Sequence, residues 1–511
     1  MKDQKKIKRN LIIGIVGQVI AVLLGVILPK HILEYYGSEI NGLLSSVTNI
    51  YAYIAIVEAG VAAATCQALY KPVAGNDYDG ANEVIAACHY QYRKIGGIYV
   101  GLIGAFSLLY PLLIKTKLSF GEVALIILFN GLGNAINFFF HGKYLILLKA
   151  DGKQYIRSIL DTTVLMIKQI VKIRLINAGF DVVVVQSVSL AVSILQMLWI
   201  TYYIKRYYSW INLKIKPKVA IISQSKYVMI HEVNYLISAN LDTMLLTFFA
   251  DLRVVSVYAL YTMIYGLLTR VLYTIRDAFE FKIAYEFHRC KKAFLRLFEI
   301  YEVCYITLAT SMIAVVNYLI LPFLQQYTAG IQDINYIDES LPLLFALVNL
   351  FAAGRYPSDA IIHIAGHFRQ TKNSAIIETC VNIGVSTVLV QFWGIAGVLT
   401  GTIVSALFRM VYLVEYVSRK VIERNTRATY LCWSTNLLLL FIWHNVSSWL
   451  PVDLTSYFQI LLFGIPYACI TVTVFVGINF LVLPDIIKNA LLYVKDGQMV
   501  NGYRREENRN E

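Results

Sequence analysis

Long apolar runs separated by short polar stretches make up most of this sequence. A helix that crosses a membrane needs about 20 mainly apolar residues, at a rise of about 1.5 Å per residue. About fourteen runs meet this requirement: 11–29, 43–68, 97–114, 120–140, 155–176, 182–204, 227–250, 254–275, 297–323, 340–362, 375–393, 394–416, 430–450 and 458–483. The eleventh and twelfth runs are almost continuous, so we expect a tight turn near Trp393 and Gly394. The pattern predicts an all-α integral membrane protein with about fourteen transmembrane helices.

The composition agrees with this prediction and excludes other classes of protein. Of the 511 residues, 58 % are hydrophobic and 15 % are charged, and the mean hydropathy is +0.60. Soluble domains have about 25 % charged residues, which argues against a soluble multidomain enzyme. Seven cysteines in so long a chain are too few for a disulfide framework. Neither a G-x-x-x-x-G-K-[ST] motif nor an H-E-x-x-H motif occurs, so we expect no ATPase activity, no cofactor and no metal site.

Lysine and arginine are distributed unevenly between the two sides of this predicted topology. With the N-terminus placed in the cytoplasm, 35 of them fall on the cytoplasmic side, 6 on the outer side and 4 within spans, when residues at span ends are counted with the nearer loop. Cytoplasmic loops carry the excess of Lys and Arg, so we expect both termini to be cytoplasmic. The first run follows MKDQKKIKRN without a cleavage site and is expected to remain as a span. The net charge of +13 then reflects loops that face anionic lipid, and no nucleic-acid partner is expected.

An internal repeat divides the predicted spans into two groups of six. The stretches 35–43 and 248–256 lie 213 positions apart, and each has an aromatic pair, a small residue and a short polar turn before a span. Repeats of this kind are common in transporters. The predicted organisation is a cytoplasmic tail (1–10), a first six-helix bundle (11–204), a cytoplasmic loop (205–226), a second six-helix bundle (227–416), two additional transmembrane helices (429–483) and a cytoplasmic tail (484–511). An amphipathic helix is expected within the cytoplasmic segment 276–296.

Charged residues inside the spans are the first candidates for function, because each costs about 2.5–3.5 kcal/mol at the centre of a helix. Glu58 shares a helix face with Tyr51 and Thr65, and this stripe would suit a proton, a cation or a sugar hydroxyl. The alternative is a glutamate neutralised by a neighbour for structural reasons. Arg270 lies in the second half close to the repeat counterpart of Glu58. It would bind a diphosphate with two N–H groups, or it reaches back to the cytoplasmic surface.

Three further spans carry candidates. His231 and Asp242 lie on one polar face of the seventh span, where His231 is close enough to the cytoplasmic end to be simply solvated. Lys168 is the deepest of several charges on the fifth span, which form either an internal Asp–Lys ladder or a basic track for an anionic head group. Arg355 and Asp359 are four positions apart in the tenth span, where they either neutralise each other or face a cavity beside a hinge at Pro357.

A second set of charges near the cytoplasmic ends of spans is expected to reach the membrane surface. This set contains Glu378, Arg409 and Glu415.

Several short stretches, taken in order, resemble the polysaccharide flippases of the multidrug/oligosaccharidyl-lipid/polysaccharide (MOP) exporter superfamily. They are Gly42-Leu43-Leu44, Glu58-Ala59-Gly60, Asn240-Leu241-Asp242, Val257-Tyr258, Glu378-Thr379-Cys380-Val381-Asn382 and the stretch from Trp393 to Thr402. The resemblance covers about residues 5–485. It implies two pseudo-symmetric six-helix bundles around a central cavity, with two further C-terminal helices.

The resemblance also implies a function. The protein would move an undecaprenyl-diphosphate-linked oligosaccharide outward across the bacterial plasma membrane by alternating access, for synthesis of O-antigen, capsule or exopolysaccharide. Arg270, Lys168, Arg355 and Tyr51 are then the expected substrate-binding residues, and Glu58, Asp242, His231 and Asp359 are the candidates for coupling to a proton or Na⁺. The implied partners are the lipid-linked oligosaccharide, membrane lipid, a polysaccharide polymerase and glycosyltransferases.

Three other functions suit a chain with many spans, but each fits this sequence less well. A multidrug or cation antiporter of the same superfamily would have an acidic aromatic cavity with few Arg or Lys residues. The presence of Arg270, Lys168 and Arg355 within spans argues against this function. A membrane glycosyltransferase or polymerase needs a large outer loop or an acidic metal site, and the predicted outer loops are short. A scaffold without transport does not need buried charges.

Overall fold

A computed structural model describes residues 2–58, 61–218, 226–449 and 454–486. The structure is all-α, and the described residues contain no β-strand. Fourteen α-helices follow one another along the described chain: α1 (Lys2–Ile54), α2 (Val61–Ala74), α3 (Tyr78–Leu113), α4 (Phe120–Ile136), α5 (Gly142–Ala150), α6 (Gln154–Asn177), α7 (Val182–Tyr207), α8 (Lys226–Phe249), α9 (Leu252–Arg289), α10 (Lys291–Tyr327), α11 (Leu341–Ala365), α12 (Phe368–Tyr416), α13 (Arg427–Ser448) and α14 (Tyr457–Val482).

The helices account for the predicted membrane spans. Within the described residues, eight helical stretches are long and apolar enough to cross a membrane, judged by length and composition. Two of them, Ile12–Ile54 and Phe368–Val421, are interrupted by a glycine. Phe368–Val421 covers two predicted spans, whereas Ile12–Ile54 covers the first predicted span and the beginning of the second, whose end lies on α2. The remaining four predicted spans lie on α6, α8, α11 and α13, which carry more polar residues.

Glycines break the two longest helices. Gly37 has φ 81° and ψ 178° within α1, and Gly394 has φ 51° and ψ −121° within α12. A positive φ is strained for residues with a Cβ atom, which is why glycine occupies both positions. The break at Gly394 lies where the sequence predicted a tight turn.

Two sequence predictions about local structure need correction. The structure continues α9 to Arg289 and begins α10 at Lys291, so 276–296 holds the ends of two long helices instead of a separate amphipathic helix. The hinge expected at Pro357 is absent from the described helix α11, which runs through it from Leu341 to Ala365. Gly354, three positions before Pro357, permits close packing, because a Cβ on Gly354 would overlap the ring of Trp433.

The chain divides into two compact units. The first extends to Ala259 and includes Gly330–Ile334, and the second comprises Leu260–Ala329 and the chain from Asn335 onward. In the first unit α1 packs on α6 and α8, and α4 packs on α7; in the second, α11 packs on α12, and α10 packs on α13 and α14. The division falls inside α9. The organisation by repeat, with boundaries at 204 and 227, stays a prediction.

The two repeat segments contact each other within the first unit. A Cβ on Gly42 would overlap the backbone carbonyl of Leu252, so only glycine permits this approach of α1 to α9. Beside it, Asn41 Nδ2 donates to Ser256 Oγ at 2.8 Å.

A loop residue caps the second half of α1. The backbone N–H of Ser38 donates to Asp333 Oδ2 at 2.8 Å, and Ser38 Oγ donates to Asp333 Oδ1 at 2.5 Å. The carboxylate thus caps the helical segment that begins after Gly37, as a helix N-cap does.

Candidate functional site

Glu58 lies at the end of a short 3₁₀ turn instead of on a continuous α-helical stripe. A short 3₁₀ turn spans Ala55–Glu58, and α2 begins at Val61, so Tyr51, Glu58 and Thr65 do not share one uninterrupted helix face as predicted. Tyr92 on α3 donates to Glu58 Oε1 at 2.5 Å. Tyr51 is 6 % exposed and donates its hydroxyl to the backbone carbonyl of Ile127. The hydroxyl of Tyr51 is therefore already used inside the first unit.

Cations without a carboxylate partner line part of α6. Lys172 is 5 % exposed, and its Nζ donates to Gln186 Oε1 on α7 at 2.7 Å. Lys168, one turn away, is half-buried. Among the described residues neither lysine forms an ion pair. Of the two sequence interpretations of this helix, this geometry favours the basic track over the Asp–Lys ladder.

The aspartate of the proposed ladder has different partners. Asp161 Oδ2 pairs with Arg157 Nε at 3.4 Å, and its other oxygen accepts from Gln196 Nε2 at 3.2 Å. Asp161 therefore neutralises the first cation of α6 and leaves Lys168 and Lys172 without a counter-ion among the described residues.

Asp242 is the most buried carboxylate of the predicted coupling residues. It is 5 % exposed on α8 and accepts from Tyr258 Oη at 3.0 Å. A buried carboxylate held by a phenol can exist protonated or bound to a small cation. His231, on the same helix, is half-buried.

Arg270 stands apart from the other intramembrane arginines. It lies on α9 in the second unit and is exposed. Within the described part of the chain its guanidinium has neither an ion pair nor a hydrogen bond. All of its N–H donors are therefore available to a ligand.

Arg355 belongs to a closed network of charges in the second unit. Its Nη1 contacts Glu378 Oε1, and its Nε lies 3.6 Å from Asp359 Oδ2. Glu378 also pairs with Arg409, whose Nε lies 3.5 Å from Oε2. The network holds two arginines and two carboxylates, so its formal charge is zero.

The predicted positions of Glu378 and Arg409 were wrong. Both were expected to reach the membrane surface, but they are 6 % and 5 % exposed. Arg409 is held further by the backbone carbonyl of Thr371 at 3.2 Å and by the hydroxyl of Ser374. A charge can stay inside when its partners lie on a neighbouring helix, and a single helix in the sequence does not reveal those partners.

Sequence reasoning also missed Lys143 and His141, because it ended the fourth span at residue 140. The structure continues this span through a π-helical turn (Asn137–His141) into α5. Lys143 is 4 % exposed, donates to the carbonyl of Phe140 at 2.6 Å and lies 4.5 Å from the ring centre of Tyr144. The helical spacing of the apolar residues up to Ala150 was the signal that could have extended the span.

No family model matches this sequence, and no curated protein matches it either. Solved structures do match. The lipid II flippase MurJ in an inward closed conformation aligns over 93 % of this chain and 100 % of its own, with a TM-score of 0.67 and 12 % identity. The chain therefore has the fold of the MOP-superfamily transporters.

Two further MOP structures show the same fold. An inward-facing multidrug resistance MATE family transporter of the MOP superfamily covers 78 % of this chain and 95 % of its own, with a TM-score of 0.57 and 14 % identity. A MOP superfamily transporter from Pyrococcus furiosus, described as having a binding pocket of reverse polarity, gives a TM-score of 0.53 and 15 % identity over 83 % of this chain and 97 % of its own. This MOP-fold chain is thus a multi-pass membrane protein whose structural neighbours are transporters and flippases.

Proposed function

We propose that this MOP-fold protein is a flippase that moves an undecaprenyl-diphosphate-linked oligosaccharide outward across the bacterial plasma membrane for surface polysaccharide synthesis. One observation carries the proposal: Lys168 and Arg270 lie within predicted spans, Lys172 lies near the end of one, and none of the three has a carboxylate partner among the described residues. A cation inside a membrane span without a counter-ion is costly. Such a cost is offset when a diphosphate arrives, because Arg and Lys bind phosphate oxygens by charge-assisted hydrogen bonds.

Arg270 is the proposed ligand of the diphosphate in the second unit, and Lys168 and Lys172 are proposed phosphate ligands in the first unit. We assign Arg355 a structural role instead, because Glu378 and Asp359 already occupy its guanidinium. The residues of the substrate site that remain in the proposal are therefore the cations without carboxylate partners.

The test is complementation of a strain that lacks the gene. In the strain without the gene, the lipid-linked intermediate should accumulate on the cytoplasmic leaflet. Expression of the wild-type protein should restore surface polysaccharide. Arg270→Ala should lose export while the protein still inserts into the membrane. Arg270→Lys should restore export only in part, because lysine cannot bind phosphate oxygens in the bidentate geometry of arginine. Arg289→Ala is the matched control, since this exposed arginine lies at the end of the same helix. Full export by Arg270→Ala would refute the role of Arg270.

A coupling ion is the second part of the proposal. Glu58 and Asp242 are the preferred sites for a proton or Na⁺, because each is a carboxylate that accepts a hydrogen bond from a tyrosine hydroxyl. Asp359 is less suited because it pairs with Arg355, and His231 because it lies in the second turn of α8, near the predicted cytoplasmic end of its span. One charge that crosses 100 mV supplies about 2.3 kcal/mol, enough to shift a two-state equilibrium more than tenfold.

Purified protein in liposomes with imposed pH, Na⁺ or potential gradients tests the coupling. Glu58→Gln or Asp242→Asn should abolish the dependence of transport on one gradient. If both variants keep the wild-type dependence, neither carboxylate couples transport.

A multidrug or cation antiporter is the alternative function, and the buried carboxylate of Asp242 is the observation that favours it. The two functions differ in the sign of the ligand. An antiporter would bind an organic cation in competition with protons, and Asp242→Asn would abolish that binding while Arg270→Ala would leave it intact. The predicted topology, with both termini cytoplasmic, and the partnership with a polymerase and glycosyltransferases belong to the flippase proposal.

A further inference from the structure

A small cavity of about 200 Å³ lies at one end of the first unit. Three turns of the chain enclose it: the turn between α2 and α3, the turn between α5 and α6, and the segment that follows α7. In the proposed topology these turns are cytoplasmic. No residue of the diphosphate site proposed above lines this cavity.

Aromatic rings form one wall of the cavity. Tyr78 and Trp210 lie with their ring centres 4.9 Å apart, tilted by 36°, and Tyr208 meets Trp210 edge-on at 6.2 Å. Tyr78 is 51 % exposed, whereas Tyr208 is 6 % exposed. One ring thus stays accessible at the rim, while the other is fixed deeper in the wall.

A carboxylate, an ammonium group and a phenol hydroxyl form the other wall. Asp151 Oδ2 lies 2.7 Å from Lys153 Nζ and accepts from Tyr208 Oη at 2.6 Å. Lys153 Nζ lies 2.9 Å from Tyr208 Oη. Burial and the neighbouring Asp151 raise the pKa of the Tyr208 phenol, so it keeps its proton. These three groups hold one another in place, and the third N–H of Lys153 is left for another acceptor.

The turn that carries Asp77 is also fixed. Asp77 Oδ1 accepts from the N–H of Gly80 at 2.9 Å, and the N–H of Asp77 donates to the carbonyl of Pro72 at 2.9 Å. Asn76 has a φ of 52°, an uncommon conformation for a residue with a side chain. Asparagine adopts this left-handed conformation more readily than most residues, so the turn is a stable part of the cavity wall.

We propose that this cavity binds one sugar ring of the transported oligosaccharide. Aromatic faces suit the C–H side of a sugar ring, and carboxylate and ammonium groups suit its hydroxyls. The volume equals that of about seven water molecules at roughly 30 Å³ each, which fits one ring and excludes a longer chain. Lys153 neutralises Asp151, and Asp77 accepts the N–H of Gly80 at the start of α3, so the wall suits a neutral polyhydroxyl ligand better than a cation.

The inference rests on the proposed function, which supplies the source of the sugar. The oligosaccharide of a lipid-linked substrate extends from the membrane into the cytoplasm before transport. A site at this end of the first unit would therefore select the sugar before the diphosphate is moved.

Saturation-transfer difference NMR on the purified full-length protein in nanodiscs tests this site. The probes are glucose, galactose, N-acetylglucosamine and, as a cationic probe, tetramethylammonium. We expect signals from the ring C–H protons of at least one of the three sugars. Tyr78→Ala should weaken that binding by about tenfold, which equals about 1.4 kcal/mol and matches the loss of one aromatic contact. Tyr202→Ala is the matched control, because this tyrosine of α7 is 65 % exposed and does not line the cavity.

Three results would overturn the site: no signal from any of the three sugars, binding of tetramethylammonium alone, or sugar binding that Tyr78→Ala leaves unchanged. The assay uses free sugars and requires no transport. Loss of sugar binding together with an inactive Arg270→Ala variant would remove the sugar site and keep the flippase. Sugar binding by a wild-type protein that fails to restore surface polysaccharide would keep the sugar site and remove the flippase.

Discussion

Arg409 and Glu378 form an ion pair from opposite sides of the break at Gly394, with Nε and Oε2 3.5 Å apart and side chains 6 % and 8 % exposed. The pair links the segment of α12 before Gly394 to the segment after it. Arg355 on α11 contacts the same carboxylate. One glutamate therefore serves two arginines in a region where water does not screen their charges.

Replacing Glu378 by Gln should destabilise the protein strongly. The variant leaves two buried guanidinium groups with Asp359 as their remaining carboxylate, and breaking a buried pair in this way costs about 3–5 kcal/mol. The measurement is the thermal unfolding midpoint in detergent. Glu423→Gln is the control, because its pair with Lys291 is exposed (2.5 Å, with side chains 70 % and 63 % exposed) and surface pairs contribute about 0–1 kcal/mol. Equal midpoints for the two variants would show that the network does not stabilise the fold.

Replacing Lys172 by Met should separate stability from transport. Lys172 is a buried cation that donates to an uncharged partner, Gln186, so an apolar side chain of similar length should leave the unfolding midpoint unchanged or raise it. Export should fall because the basic track loses a charge. Lys149→Met, at an exposed position, should change neither quantity. A lower midpoint with normal export would assign Lys172 to structure alone.

Replacing Gly37 by Ala should destabilise the first unit by about 1–3 kcal/mol, because φ 81° with ψ 178° is a conformation almost restricted to glycine. The φ of 81° is unfavourable for alanine, and the added Cβ would lie 3.2 Å from Asp333 Oδ2. Gly25→Ala is the control in the same helix, because a Cβ there meets no atom within 4 Å and alanine favours the helix. Chemical denaturation with a spectroscopic probe measures both variants. We expect opposite signs, and a stabilised Gly37→Ala variant would contradict the strained conformation.

Cysteine labelling should establish the membrane orientation. In a variant without native cysteines, a membrane-impermeant maleimide added to sealed cells should label Gln332→Cys but not Lys214→Cys, although both positions are exposed in the structure. Permeabilised cells provide the control, since both sites should then react. Labelling of Lys214→Cys in sealed cells would reverse the proposed topology.

The all-α architecture could be predicted from the sequence because each span is a long apolar run and such runs recur along the chain. Each span contributes about 20 apolar residues, so an error in one boundary leaves the others unaffected. The glycine break at Gly394 was also predictable, since no other residue between two continuous apolar runs permits a turn so easily.

The partners of the intramembrane charges were not predictable in the same way. Arg355 and Asp359 lie on one helix, and their pairing follows from a spacing of four residues. Arg409, Glu378 and Lys172 meet partners on other helices or beyond a break, and those contacts depend on how the helices pack. A single sequence therefore identified which residues are charged at depth, but not which of them are already neutralised.

The capping of Ser38 by Asp333 has a practical consequence for anyone who engineers this protein. The loop between α10 and α11 must bring its carboxylate to within 2.8 Å of one backbone nitrogen on α1, so its length and path are fixed by that contact. An epitope tag or fluorescent fusion inserted at 330–334 would displace the cap, even though the segment looks like a convenient surface loop. The junction beside Thr455, which holds no bond to a distant part of the described chain, is the better insertion point on the same predicted side of the membrane.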